Sequence, residues 1–211
     1  MPLKLLVLDC DGVLIESVDA KTQAFAQVAL PYGQEASDAL VAFHRRNGGV
    51  NRQDKFRWFF AEVLGRKPAP NEERTLYDRF VEYSLNAVTH AMPVPGVWDV
   101  LRRWSGTVPI YVASGAPHLE LKNILNAQGM SDFCTNIYGA PPGKTTILRG
   151  ILAETGINPA DTVMVGDSSA DMYAAEAVHC LFYGRGEYFR HTGYPWSHDL
   201  TQLNSYLESL N

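Results

Sequence analysis

KLLVLDCDGVLIES, residues 4–17, runs from an unbroken apolar segment into two aspartates one residue apart and then into a glycine. A short apolar run closed by turn residues is the pattern of a strand buried on both faces of a sheet. Asp9 stands at the end of that strand and Asp11 two residues beyond it, with Gly12 opening a turn. In open α/β sheets ligands sit beyond the carboxyl ends of the strands, so both acids arrive where chemistry is expected. Two negative charges about 4 Å apart repel by roughly 4 kcal/mol at an effective dielectric near 20, and a divalent cation would supply the counter-charge.

Working outward, four more apolar runs bounded by turn residues occur at 108–114, 134–139, 162–166 and 179–184. Between the later ones lie helical patterns. Val97, Val100, Leu101 and Trp104 share one face, as do Leu121, Ile124 and Leu125, and then Ile147, Leu148, Ile151 and Leu152. Strand and helix in alternation predict an α/β fold with a parallel sheet covered on both sides. Residues 18–90 break that rhythm with four helices expected at 20–29, 36–46, 52–64 and 72–88, separated by Pro31, Gly33, Gly48, Gly49, Gly65, Pro68 and Pro70. The expected organisation is a Rossmann-like core from residues 1–16 and 92–211 with a helical cap at 17–91. Leu200, Leu203, Leu207 and Leu210 fall at helical spacing and predict a packed C-terminal helix.

Composition narrows the function. Hydrophobic residues at 46% and charged residues at 19% of the 211 positions fit a globular chain long enough for a core and a small second domain. A net charge of -5 with a pI near 5.6 leaves no basic excess for a phosphate backbone, which argues against a nucleic-acid partner. No apolar run approaches the roughly 20 residues of a membrane span, and the segment before Asp9 is too short for a signal-peptide core, so no membrane partner and a cytoplasmic location are expected. Cys10, Cys134 and Cys180 are widely spaced without a CxxC pair, indicating neither a disulfide framework nor a zinc site.

A second acidic cluster, VMVGDSSAD at 163–171, puts Asp167 just beyond the fourth run and Asp171 at the start of a helix. Carboxylates are hard oxygen ligands suited to magnesium, which takes one or two of them plus a substrate phosphate. Either acid alone reads as a helix N-cap. Two clusters closing two separate strands call for a common partner. Ser114 ends the second run before Gly115, where a hydroxyl and backbone N–H groups can cradle a phosphoryl oxygen, and Lys144 follows the third run.

With these residues in order the chain resembles the haloacid dehalogenase superfamily of phosphotransferases. The resemblance rests on the DxDGxL signature from Asp9 to Leu14, the strand-end Ser114, Lys144, and the GDxxxD signature from Gly166 to Asp171. The helical insertion is similar to that superfamily's C1-type cap, as in its phosphoglycolate phosphatase and β-phosphoglucomutase group. The resemblance implies Asp9 as the nucleophile toward phosphorus. It also implies Asp11 as general acid and then general base, its neutral form favoured by Asp9. Magnesium would be held by Asp9, the backbone carbonyl of Asp11 and Asp167, with Ser114, Gly115 and Lys144 on the phosphoryl group and Asp171 mostly in the outer shell, orienting Lys144 or a metal-bound water.

A small phosphorylated metabolite is the implied substrate, handled by a monomer or homodimer. Dehalogenases of the superfamily lack the second motif aspartate, so Asp11 favours phosphatase chemistry. A phosphomutase is the rival, because residues 49–54 are similar to the cap loop of β-phosphoglucomutase, where Arg52 would grip a non-reacting phosphate. That enzyme's cap histidine corresponds to Lys21, which favours hydrolysis. The basic stretch Arg45, Arg46, Arg52, Lys55 and Arg57 reads equally as a substrate patch or a solvated face, with Arg52 and Lys55 the expected contributors and His44 structural. The stretch 139–145 has three residues rather than four between its glycines and two prolines within it, which defeats a P-loop.

Overall fold

The computed structural model of the chain describes residues 2–211. Strands β1 (Leu5–Leu8), β2 (Ile110–Pro117), β3 (Asn136–Ala140), β4 (Thr162–Gly166), β5 (Leu181–Arg185) and β6 (Trp196–Ser197) form one parallel sheet in the order β3-β2-β1-β4-β5-β6. Helices α1 (Val18–Ala29), α2 (Gln34–Arg46), α3 (Arg52–Trp58) and α4 (Glu72–Thr89) come between β1 and the rest. The later helices are α5 (Val97–Trp104), α6 (His118–Ala127), α7 (Lys144–Thr155), α8 (Ser169–Val178) and α9 (Leu203–Ser209).

The alternation of side chains along a strand assigns the two faces. Leu6 and Leu8 join Val112, Val163 and Val165 against α5, α6 and α9, while Leu5 and Val7 join Tyr111, Ala113 and Met164 against α7 and α8. All four residues of β1 are fully buried, as a central strand covered on both sides requires. Each Leu or Val withdrawn from water in this way contributes roughly 1.5–3 kcal/mol. Leu200, Leu203 and Leu207 are likewise buried, so the C-terminal leucines serve packing. Helices α1 to α4 have their own apolar centre, in which Phe25, Leu40, Phe56, Phe59, Leu76 and Phe80 meet. The architecture is a Rossmann-like parallel sheet with an all-helical cap.

Three local expectations are corrected. The helix expected over 52–64 leaves α geometry after Trp58 and continues as a π-type turn over Phe59–Val63, closed by Leu64 N donating to Phe59 O at 3.0 Å. Apolar spacing does not distinguish the two, and the wider turn accompanies burial of the adjacent Phe59 and Phe60. Ser114 does not end β2, which continues to Pro117 through a register shift against β3, so α6 begins at His118 rather than after Gly115. The two-residue β6 is too short to leave a pattern in the sequence. Among the described residues no helix is long and apolar enough to cross a membrane, and the three cysteines are free.

Candidate active site

β1 and β4 are neighbours in register, Leu8 beside Val165, so the residues that follow them leave the sheet at one edge. Asp9 N donates to Val165 O at 3.0 Å, which ties the first acid to the fourth strand. Side-chain oxygens of Asp9, Asp167 and Asp171 lie within 4.8 Å of one another. Gly12 makes room for this approach. Its φ is +74° and an added Cβ would stand 2.1 Å from Asp167 Oδ2, so only glycine meets both the backbone and the space requirement.

Lys144, the first residue of α7, places Nζ 2.9 Å from Asp9 Oδ1 and also pairs with Asp171 Oδ1. The contact to Asp9 is an ion pair not aligned as a hydrogen bond, and Asp9 Oδ1 remains without a directed donor. Asp171 is fully committed, since its Oδ2 accepts from Ser168 N at 3.1 Å and from Ser168 Oγ at 2.6 Å. It belongs to the capping box of α8 and pairs with Lys144 at once, so the helix-cap reading holds.

Charge in this cluster is unbalanced. Burial pushes the Asp9 carboxyl up to about 7, with repulsion from Asp171 and Asp11 adding to it and Lys144 opposing. Asp167 is held well above the usual carboxylate range by burial and then by Asp9 and Asp171. For Lys144 burial acts downward, but attraction to Asp171 and Asp9 prevails and raises it.

Asp11 departs from expectation. Its carboxylate turns toward the cap, where Lys21 Nζ reaches Oδ2 at 2.5 Å and Ser17 Oγ reaches Oδ1 at 2.5 Å. Burial acts to raise its pKa, yet these two contacts outweigh it and hold the group below its ordinary value. The neighbouring Asp9 therefore does not keep Asp11 neutral. Ser17 and Lys21 were missed as partners, although their spacing of four puts both on one face at the start of α1, a signal the sequence does contain.

Over the acids lies a cavity of about 460 Å³, walled by Asp9, Asp11 and Asp167 below and by Lys21, Arg52 and Lys55 from the cap. Gly115 and Ala116 also line it, while Ser114, 1% exposed, keeps its hydroxyl behind that wall as acceptor for Ala116 N at 3.1 Å. Of the basic stretch Arg45, Arg46, Arg52, Lys55 and Arg57, the first four border the cavity. Arg57 instead faces solvent beside Asp54 and Glu73. Arg52 bonds Glu120 of α6 at 2.6 Å, a link across cap and core that no sequence pattern announces.

The cap loop rests directly on the core. A Cβ on Gly115 would lie 2.6 Å from Gly49 O, and one on Gly49 would lie 2.9 Å from Ala170 Cβ. Gly115→Ala is therefore expected to hold the cap away from the acids. A misplacement near 1 Å costs about 100-fold in rate, so kcat/KM should fall by roughly that factor while the melting temperature stays within a few degrees. Unchanged kinetics would show that the contact has no part in turnover.

Residues 3–179 match the family of haloacid dehalogenase-like hydrolases. Phosphoglycolate phosphatase of Vibrio cholerae is 25% identical over 197 residues, spanning 86% of this chain and 84% of that protein. Among solved structures, β-phosphoglucomutase from Clostridium difficile superposes with a TM-score of 0.80 at 18% identity, covering 99% of this chain and 96% of the other. CbbY from Rhodobacter sphaeroides, in complex with phosphate, superposes with a TM-score of 0.75 at 17% identity, covering 95% and 96%. Likeness at this level of identity speaks to the fold.

Proposed function

The chain belongs to the haloacid dehalogenase-like hydrolases, and on that premise we propose that it is a magnesium-dependent phosphatase acting on a small phosphorylated metabolite through a phospho-aspartate on Asp9. The observation that carries the reading is the meeting of Asp9, Asp167 and Asp171 within 4.8 Å, with Lys144 beside Asp9, under a cavity that Asp9 and Asp167 line. The curated relatives named phosphoglycolate phosphatase lend it further support. Phosphoglycolate-like acids and sugar phosphates are the substrate classes favoured.

The donor set fits magnesium. Asp9 Oδ1 lacks a directed donor, Asp167 has no side-chain hydrogen bond or ion pair among the described residues, and burial has raised both, which is the condition a divalent cation relieves. Asp9, Asp167 and the backbone carbonyl of Asp11 would hold the ion. Once bound, it would neutralise the acids and the phosphoryl oxygens and keep Asp9 ionised.

Within that setting an Asp9 carboxylate oxygen attacks phosphorus as the bond to the leaving oxygen breaks, and Asp11 gives its proton to that oxygen. Water then attacks the acyl phosphate, Asp11 takes a proton from it, and inorganic phosphate leaves as Asp9 is restored. Lys144 balances charge on the phosphoryl oxygens, Asp171 aims Lys144, and Ser114 with Gly115 shapes the phosphoryl pocket. Arg52 and Lys55 face the leaving group, and the cap formed by residues 17–91 excludes water. For Asp11 to carry a proton its pair with Lys21 must open or pass one across.

The test is phosphate release from a panel of phosphorylated acids and sugars, with magnesium and with chelator. Turnover of at least one ester that chelator abolishes is the expected result, and equal turnover in chelator would overturn the metal assignment. A phosphomutase of the β-phosphoglucomutase type is the second reading. It is favoured by the cap-loop stretch 49–54, which sets Arg52 on the cavity wall, whereas Lys21 in the place of that enzyme's cap histidine speaks for hydrolysis. Conversion of a sugar 1-phosphate to the 6-phosphate with a bisphosphate primer, without free phosphate, would put it first.

A further inference from the structure

Four cationic side chains are buried among the described residues: Lys21, Arg52, Lys55 and Lys144. Three have a carboxylate in contact: Lys21 has Asp11, Arg52 has Glu120, and Lys144 has Asp9 and Asp171. Lys55, only 2% exposed, has none. Its ammonium donates to His44 Nδ1 at 2.9 Å and to Gly48 O at 3.0 Å, and it lies 5.5 Å from the ring centre of Phe25. An ammonium has three donors and these neutral partners take two. A charge withdrawn from water is costly unless an opposite charge meets it. Lys55 nevertheless borders the cavity above Asp9 and Asp167, where a ligand would lie.

We propose that Lys55 is the anion site for the leaving group, that His44 is its positioning residue, and that the substrate is a phosphate monoester bearing a second negative group, a carboxylate or phosphate. This rests on the phosphatase reading and adds the chemistry of the substrate's far end. His44 is suited to the task. Burial, followed by the charges of Lys55, Lys21 and Arg45, takes its imidazole down to about 3, so it stays neutral and offers Nδ1 as an acceptor. Its ring rests on Phe25 at 4.6 Å between centroids, which fixes its plane.

Burial brings Lys55 itself down to about 7, with Lys21 and Arg52 adding to the effect and Asp11 and Asp167 opposing it across the cavity. The ammonium is therefore present below that pH and lost above it. Preference for a doubly anionic ester should decline as pH rises from 6 to 8.5.

Matched ester pairs test the proposal: phosphoglycolate against 2-hydroxyethyl phosphate, 4-phosphoerythronate against erythritol 4-phosphate, and glucose 1,6-bisphosphate against glucose 6-phosphate. The first two pairs read a carboxylate and the third a phosphate. Wild-type enzyme should favour the anionic member of at least one pair through KM. Lys55→Met should raise that KM by about 10- to 100-fold, the worth of a charged hydrogen bond, with kcat within about twofold and the neutral member unaffected. His44→Leu should give the same selective loss, and His44→Gln, which restores an acceptor, should recover most of it. The Lys55→Met protein should melt no lower than wild type, because an unpaired buried charge has been removed, whereas a purely structural lysine would lower it.

Calorimetric binding of the same pairs to the Asp9→Asn protein separates the two readings, since it needs no turnover. Equal affinity for both members of every pair, or a loss in Lys55→Met that is the same for neutral and anionic members, overturns the anion site. Discrimination in binding to the Asp9→Asn protein, together with no phosphate release from any ester by the wild-type enzyme, would overturn the phosphatase reading and leave the site standing.

Discussion

Asp9→Asn is expected to lower kcat by at least about 10⁴-fold, the scale on which loss of a nucleophile is felt in enzymes that pass through a covalent intermediate. The amide keeps the shape of the carboxylate but cannot form the acyl phosphate. Its effect on stability should run the other way. Asp9 is 3% exposed and held near pH 7 by burial. Between the ordinary carboxylate range and that value, the folded metal-free chain keeps a proton that the unfolded chain has released. Stability therefore declines as pH rises through this window. Asp11, held below its ordinary value, contributes with the opposite sign, adding stability that is lost only as pH falls through its folded pKa. Asparagine removes the Asp9 penalty, so the metal-free variant at pH 8 should melt at or above wild type, by about 2–4 °C for each kcal/mol regained. Phosphate-release kinetics and thermal melts in chelator at pH 5 and pH 8 check both halves. Activity within tenfold of wild type would remove Asp9 from the mechanism.

An inactive yet more stable variant is the signature of a site assembled at a cost to the fold. It also explains which parts of the site the sequence displayed. Asp9, Asp167 and Lys144 stand where strands end, and the strands are legible because each is an apolar run buried on both sides. Once the order of strands places β1 beside β4, their terminal acids must meet, and local pattern suffices to find them. Side-chain direction inside the helical insertion is another matter. Whether Lys21 reaches Asp11, Arg52 reaches Glu120 or Lys55 reaches His44 depends on how four amphipathic helices rotate about a shared aromatic centre. Composition is silent on that rotation. The continuation of β2 past Ser114 was hidden for a related reason, since Gly115 and Pro117 read as turn residues while the chain stays extended beside β3.

The other large effect is expected at Lys144. Its side chain is 4% exposed and stands between Asp9 and Asp171, which are themselves buried. Lys144→Met keeps the length and removes the charge, leaving acids that have no other cation in contact. Breaking a buried pair from one side costs about 3–5 kcal/mol, which for a chain of this size corresponds to roughly 6–20 °C in Tm. Turnover should fall by about 10²–10³-fold, the usual loss when a fixed donor to a developing oxyanion is removed. Because the variant is destabilised, lost activity by itself would not separate chemistry from folding. The double variant Lys144→Met/Asp171→Asn makes that separation. It neutralises both ends of the pair, while the introduced amide can still accept from Ser168, so much of the stability should return. If Lys144 acts on the phosphoryl group, turnover stays down in the double variant even as Tm recovers. Recovery of both together would mean that the lysine merely holds the acids apart, and the phosphoryl charge would then have to be met by the metal ion and the Gly115 backbone.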